Sequence, residues 1–409
     1  MRAEIDSKNY SSWKQSAREC KGLVFQALDL RSDDDFLAAL PQAMTPEEHC
    51  VFLGCKFGPK LGSAALAHGA VIFPELPGRP YNAFRDSLYS VHELFAGYDP
   101  TVTNSYFGTP DWRSYASYIE VVDNKPVKPT RFVDVALDEV LARRLHDNFI
   151  EDELEEFLGP YRSGQGKGIV AIMGGHDRKR SDPVYAEIAL LSRELAGDGF
   201  LIATGGGPGL MEAGNLGAYF AGHSAADLQA AIQAMANSKD ADAYNEAGWL
   251  SAAWEVRSRY PSKFRSLGIP TWFYGHEPPN VFASNIAKYF ENSLREEGLL
   301  AIATHGVIFA EGNAGTIQEI FQDACQNYYE NYSFKSPMIL YGKDYWHPKI
   351  VRVDGDYAVY EPTAYPAWPL LNGLAQKKKF QNLVTLTSDP TQVLSAVRAF
   401  QAPWQIASP

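Results

Sequence analysis

Two glycine-rich turns constrain this chain more than any other feature. The first reads Gly205-Gly206-Gly207-Pro208-Gly209-Leu210-Met211-Glu212, and the second Glu311-Gly312-Asn313-Ala314-Gly315-Thr316-Ile317-Gln318-Glu319. Each follows an apolar, strand-like run and opens an amphipathic helical pattern. In that arrangement the backbone N–H groups of the turn and of the first helical turn point at whatever sits in front of them, and phosphate is the usual guest. Two such turns in one sheet imply a phosphorylated ligand between them, with Glu212 and Glu319 close by.

The segments around the turns alternate strand and helix. Strands are expected at Ile169–Met173, Phe200–Ala203, Ile269–Tyr274, Val307–Ala310, Pro337–Tyr341 and Leu383–Leu386. Helices are expected at Pro183–Leu195, from the first turn to about Gly222, at Phe282–Leu294, after the second turn, and after the Asp389-Pro390 cap. This alternation predicts an α/β fold, a doubly wound Rossmann-like parallel sheet, over 163–409. An Ala-rich helical insertion spans about 224–260. Ligands of such sheets bind outside the carboxyl ends of the strands, where both turns lie.

The first part, 1–162, reads as a smaller α/β domain with a regulatory or oligomerising role. Val51–Cys55 and Ala70–Phe73 are short buried strands around a helix. Residues 77–130 are loop-rich, and apolar residues from Val133 to Leu154 recur at helical spacing. Gly159-Pro160 is expected to end that helix, with Ser163–Gly168 as the joint between domains.

With 409 residues the chain is long enough for two cores, and its net charge of −12 argues against broad nucleic-acid or anionic-membrane binding. Cys20, Cys50, Cys55 and Cys325 lack zinc-ligand spacing and read as buried free thiols of a reducing compartment. The polar N-terminal stretch and the lack of a long apolar run suggest a cytoplasmic protein. No metal or cofactor is implied. No serine-hydrolase elbow, P-loop lysine or paired-histidine zinc motif occurs.

Four glycines in five residues exceed what a tight turn needs, which favours phosphate binding by the first loop. It is not the dinucleotide fingerprint, because Leu210 occupies the third glycine position. Ala213, Gly217 and Ala221 put small side chains on one helical face, suited to close packing against the sheet. In the second loop Thr316 and Glu319 match a Thr-x-x-Glu capping box, so Glu319 reads equally as a helix cap or a catalytic carboxylate. His176 directly follows a strand and suits a pocket. The Asp177–Arg180 charge run reads as solvated.

As a set, Gly174-Gly175-His176, Thr204 to Ala213, Glu277-Pro278-Pro279-Asn280, His305-Gly306 and Gly315-Thr316-Ile317-Gln318-Glu319 resemble the LONELY GUY phosphoribohydrolase superfamily, formerly misnamed lysine decarboxylases. The bacterial pyrimidine/purine nucleotide 5′-monophosphate nucleosidases look closer. The resemblance covers roughly 165–400. It implies hydrolysis of the N-glycosidic bond of a nucleoside 5′-monophosphate, giving free base and ribose 5-phosphate, in a homo-oligomer. It implies Glu319 as principal carboxylate, Glu212 as a second, and Arg295 on phosphate or base. Arg295 sits in Arg295-Glu296-Glu297 and reads equally as a surface arginine. Substrate contacts are implied for Gly174, Gly175, His176, Gly205, Gly206, Gly207, Gly209, Leu210, Met211, Asn280, Gly312, Asn313, Ala314, Gly315 and Thr316.

The chain departs from the family's Pro-Gly-Gly-x-Gly-Thr at Glu311 and Asn313, and Gln318 replaces the first acid of a Glu-Glu pair. A carboxylate at Glu311 would repel phosphate unless it points away or serves the ribose. The departures also fit a second reading, a non-catalytic nucleotide-binding or nucleotide-sensing protein.

Overall fold

The computed structural model describes residues 4–16, 20–40, 48–127, 131–164, 166–241, 243–244, 247–273, 277–330, 335–355, 357–361 and 364–402. The chain divides into two compact units, Met1–Leu88 with Asp134–Glu156, and Tyr89–Val133 with Phe157–Pro409. Residues 89–133, grouped by sequence with the first part, thus belong to the second unit.

The smaller unit holds a parallel sheet of Glu4–Ile5 (β1), Val24–Gln26 (β2), Val51–Leu53 (β3) and Val71–Phe73 (β4), with Pro59–Ala67 (α1) between the last two. Phe25 and Phe52 stack at 5.0 Å in its core, and Phe36 and Trp13 close around them. Cys20 and Cys50 form a disulfide here. Only Cys55 is a buried free thiol, and Cys325 is exposed. The free-thiol reading therefore fails for Cys20 and Cys50, and with it the cysteine argument for a reducing compartment. The sequence hid the pair because spacing along the chain carries no distance in space.

The larger unit adds a short helix, Pro110–Ala116 (α2), and the long helix Leu137–Arg162 (α3) follows in the chain. Gly159-Pro160 does not end α3. Next come Ile169–Met173 (β5), Pro183–Gly197 (α4), Leu201–Thr204 (β6), Leu210–Tyr219 (α5), Ala225–Ala236 (α6), Ala247–Arg259 (α7), Ser266–Gly268 (β7) and Asn285–Ile286 (β8). Asn292–Ala301 (α8), Val307–Phe309 (β9), Ala314–Tyr329 (α9), Met338–Tyr341 (β10), Ala367–Lys377 (α10), Val384–Thr387 (β11) and Pro390–Ala399 (α11) follow, with shorter elements between them.

The seven strands lie in the order β8-β7-β6-β5-β9-β10-β11, all parallel. From β5 the chain winds outward through β6, β7 and β8, then crosses back and winds outward through β9, β10 and β11. This is the doubly wound Rossmann order with one extra edge strand, and its switch point lies between β5 and β9. β5, β6, β9 and β10 are buried along their whole length, which explains their uninterrupted apolar runs.

Two expected elements moved. The strand expected at Ile269–Tyr274 lies earlier, at Ser266–Gly268, and Tyr274 falls outside the described residues. Pro270 has no N–H to give a ladder, so regular pairing stops before it. The helix expected at Phe282–Leu294 is instead extended chain that pairs as β8, and the helix starts only at Asn292. Asn280 Oδ1 accepts from the N–H groups of Phe282 and Ala283, which offers that backbone a turn in place of a helix.

Segment 89–133 is pinned to the larger unit by buried charge. Lys288 donates to Asp111 Oδ1 at 2.6 Å, Trp272 Nε1 donates to the same oxygen at 3.0 Å, and Tyr106 donates to Oδ2 at 2.7 Å. Lys288 and Asp111 are each 1% exposed, and the ammonium lies 5.0 Å from the Trp272 ring centre. Removing one partner strands a buried charge, at a cost of about 3–5 kcal/mol. Asp111→Ala is expected to lower stability in urea denaturation by that order, ~3–5 kcal/mol, and Lys288→Met added to it is expected to restore part of the loss.

Candidate functional site

The turn after β5 joins both glycine loops. The N–H of Gly175 donates to the carbonyl of Glu311 at 2.8 Å, and its carbonyl accepts from the N–H of Leu210 at 3.1 Å. Gly209, at φ +66°, lets the first loop pass against the Gly175 and His176 backbone, where a Cβ would collide with the Gly175 carbonyl. Three successive carboxyl ends, those of β6, β5 and β9, thereby meet at one place.

The first loop is a packed joint. Residues 205–211 are all buried. Gly206 donates to Thr204 Oγ1 at 3.0 Å, and Gly206 and Gly207 offer their carbonyls to the backbone N–H and side-chain amide of Asn280. Asn280 is fully buried with its amide and carbonyl both engaged, so it braces the loop from beneath rather than facing a ligand. Gly217 packs against Ala189 of α4 and Gly214 against Thr204 of β6, so the small residues of α5 serve a neighbouring helix as well as the sheet.

The second loop is open. Asn313, Ala314 and Gly315 are exposed at the start of α9, and Asn313 makes no side-chain cap. Its amide donates to Asp177 Oδ2 at 2.9 Å instead. Thr316 lies inside the first turn, buried against Gly312, so it cannot be the N-cap of a Thr-x-x-Glu box. The helix begins two residues before Thr316, which leaves Glu319 in the second turn with no capping role.

Arg295 bridges the two loops. Its Nη2 lies 2.8 Å from the Cβ position of Gly205, and its Nε donates to the Ile269 carbonyl at 3.1 Å. Its Nη1 stands 3.7 Å from Glu319 Oε1, each side chain being 12% exposed. The surface-arginine reading thus fails. Burial pushes the Glu319 carboxyl up to about 7, with Arg295 opposing and Glu296 adding to the rise. Glu277 completes the group. Its Oε2 lies 3.5 Å from the Cβ position of Gly207, and its Oε1 lies 3.8 Å from His176 Nδ1. Burial raises the Glu277 carboxyl, against the pull of His176, Arg295 and Lys288. Sequence reasoning used Glu277 only as a landmark. The stiff Pro278-Pro279 step directly after it was the signal that its position is fixed.

Glu212 is placed elsewhere. It is fully buried, and Arg180 donates to both its oxygens at 2.9 and 2.6 Å while Tyr185 adds a third bond at 2.8 Å. Arg180 also donates to the Trp249 carbonyl and stacks on that ring at 4.7 Å. Glu212 is therefore a structural anion with its oxygens taken, not a second catalytic carboxylate. Arg180 likewise leaves the solvated charge run to which its sequence neighbours assigned it.

Glu311 points away from the crevice. Its carboxylate pairs with Arg178 at 3.3 Å, and its Cγ lies 3.5 Å from the Cβ position of Gly342, on the β10 side. Arg178 stacks over Tyr345 at 5.4 Å, and Tyr345 donates to the Gly312 carbonyl at 2.8 Å. A cleft of about 370 Å³ opens there beside the start of α9, lined by Asp177, Arg178, Lys179, Asp182, Asn313, Tyr345 and Tyr365.

No family model and no curated protein matches this chain. Solved structures match part of it. The molybdenum cofactor binding protein from the phototrophic bacterium Rippkaea orientalis is 14% identical and covers 57% of this chain and 96% of its own, with a TM-score of 0.32. The Moco carrier protein from Chlamydomonas reinhardtii is 14% identical over 56% of this chain and 95% of its own, with a TM-score of 0.31. The structural-genomics target TM1055 is 16% identical over 57% and 99%, with a TM-score of 0.33. Likeness at this level bears on neither ligand nor activity. What stands from the chain itself is the Rossmann-type parallel sheet with Arg295, Glu319, Glu277 and His176 at its switch-point edge. Among the described residues, no helix is long and apolar enough to cross a membrane, and no cluster suits a metal ion.

Two outcomes follow. Glu212→Gln is expected to cost about 3–5 kcal/mol in denaturant unfolding, since it strands the Arg180 guanidinium. A Glu319 carboxyl raised to about 7 binds its proton more tightly folded than unfolded, so stability falls as pH rises from its ordinary 4.5 toward 7. Glu319→Gln removes that fall, so its melting temperature relative to wild type is expected to climb across this window and then level off.

Proposed function

We propose that this protein is a phosphoribohydrolase that cleaves the N-glycosidic bond of nucleoside 5′-monophosphates, in the manner of the LONELY GUY and nucleotide nucleosidase proteins its motifs resemble. The observation that carries the reading is Arg295, set between Gly205 of the first loop and a Glu319 carboxyl that burial has raised to about 7. A carboxyl titrating near neutral pH beside a fixed guanidinium suits general-base work on water.

In this reading the phosphate docks at the exposed, uncapped start of α9, where first-turn amides and the helix dipole favour an anion. The ribose then lies along the switch-point crevice. As the C1′–N bond breaks, C1′ gains oxocarbenium character, and the Glu319 carboxylate stabilises it while drawing a proton from the attacking water. The water oxygen bonds to C1′, and the base leaves with the bonding pair and takes up a proton. Glu277, held near His176, stands in the second carboxyl position that Glu212 does not fill, and it is the group proposed to deliver that proton. Homo-oligomer assembly and a cytoplasmic setting belong to the same proposal.

The test is ribose 5-phosphate release from each common nucleoside monophosphate by the purified protein. Glu319→Gln is expected to lower the rate by about 10²–10⁴ while the fold survives. Release at the wild-type rate from the variant sinks the role of Glu319. Thermal stabilisation by a nucleotide that is recovered intact would instead favour the non-catalytic binding reading.

A further inference from the structure

Between β10 and α10 the larger unit carries a two-stranded antiparallel ribbon, Ile350–Asp354 paired with Tyr357–Tyr360. Its two ends are tied together at the base. There the N–H of Tyr365 donates to the Tyr345 carbonyl at 2.9 Å, and the two rings meet at 5.9 Å. Both tyrosines also line the cleft beside the start of α9.

The first arm of the ribbon has no cover. All five residues of Ile350–Asp354 are exposed, on both faces of the strand. Ile350, Val351 and Val353 are 55%, 57% and 68% open to solvent. In the second arm Val359 and Tyr360 are half-buried, so cover reaches that arm and stops short of the first. Among the described residues, no strand pairs with the outer edge of Ile350–Asp354. A lone two-stranded ribbon is barely stable in water. Branched apolar side chains beside an open row of N–H and C=O groups form a template for another strand.

The charges on the arm decide which strand fits. Arg352 and Asp354 are 3.8 Å apart on one face, with side chains 69% and 75% exposed. Val353, between them, points to the other face. A second copy laid antiparallel along this edge, with the two-fold axis at Val353, sets each Arg352 across from the other copy's Asp354. It also sets Val353 across from Val353. Moving the axis to Arg352 or to Asp354 brings like charges face to face, and a parallel pairing in register does so at both positions. The arm is thus self-complementary in charge about Val353, as an isologous contact requires.

We propose that the Ile350–Asp354 arm is an interaction surface whose partner is a second copy of this chain, joined edge to edge through an antiparallel pair centred on Val353. The two ribbons then form one four-stranded sheet. The inference gives a surface and a register to the oligomer expected above. It stands on the ribbon alone and holds whether or not the crevice at the glycine loops is catalytic.

Sedimentation velocity of the full-length protein from about 1 to 100 μM tests it, and wild type is expected to self-associate across this range. Arg352→Asp and Asp354→Arg each set like charges across the pair, and each is expected to weaken association about tenfold or more. Combined in one chain they reverse the pair and are expected to restore association. Both side chains stand in solvent, so the exchanges leave the fold intact, which far-UV circular dichroism checks. A second measurement is made in a Cys325→Ser background. Val353→Cys is expected to give a covalent dimer when dioxygen with copper–phenanthroline oxidises two thiols to a disulfide, because the two copies of this position face each other. Val102→Cys, also more than half exposed but off the ribbon, is expected to remain a single chain on a non-reducing gel. The proposal is overturned if wild type is still a monomer at about 100 μM, or if either single exchange associates as wild type does. It is equally overturned if the combined exchange associates no better than the single ones, or if Val353→Cys crosslinks no faster than Val102→Cys.

Discussion

The backbone of Gly175 holds the large unit's functional edge together. Its N–H reaches the second glycine loop at Glu311, and its carbonyl receives the first at Leu210. A Cβ on Gly175 would lie 2.7 Å from Asp177 Oδ1, and one on Gly209 would strike the Gly175 carbonyl. Two glycines facing each other allow three strand ends to converge with no side chains between them. The doubly wound order puts β5 at the centre of that convergence, because β6 leaves on one side and β9 on the other. The crevice is a consequence of topology, and the glycines set how tightly it closes.

The two glycine loops then take different jobs. The first spends its polar groups on its own support, with Asn280 beneath it and Thr204 behind it. It acts as a rigid wall against which Arg295 and Glu277 are set. The second keeps its helix start exposed and sends the one awkward carboxylate, Glu311, toward Arg178 and away from the crevice. Glutamates of similar appearance in the sequence likewise divide. Glu212 is neutralised by Arg180 and sealed, whereas Glu319 and Glu277 keep raised carboxyls beside a shared guanidinium. Burial is the first cause of the rise at both Glu319 and Glu277.

Much of the fold was legible in the chain. The apolar runs at β5, β6, β9 and β10 appear close to their expected bounds, because strands buried on both faces leave an unmistakable pattern. Element bounds moved at 269–294, where Pro270 and the Asn280 turn override local propensity, and at Gly159-Pro160, which α3 passes through. Of the implied site residues, the glycines, His176, Arg295 and Glu319 gather at one edge. Asn280 and Glu212 turn inward, and Glu277 takes a place that no motif had given it.

The sequence by itself determined the alternation of strand and helix and the position of both glycine turns after strands, because these follow from local periodicity and from glycine's freedom at positive φ. Tertiary structure alone decided which charges are sealed in pairs and which stay at the edge of a crevice. Arg180 and Arg178 are two residues apart in sequence, yet one is sealed against Glu212 and the other lies half-buried beside Glu311. Likewise Cys20 found Cys50, and Lys288 found Asp111, across separations that no local pattern encodes. The reason is physical: whether a charge or thiol is paired depends on distance and burial in space, and these are properties of the folded chain rather than of its order.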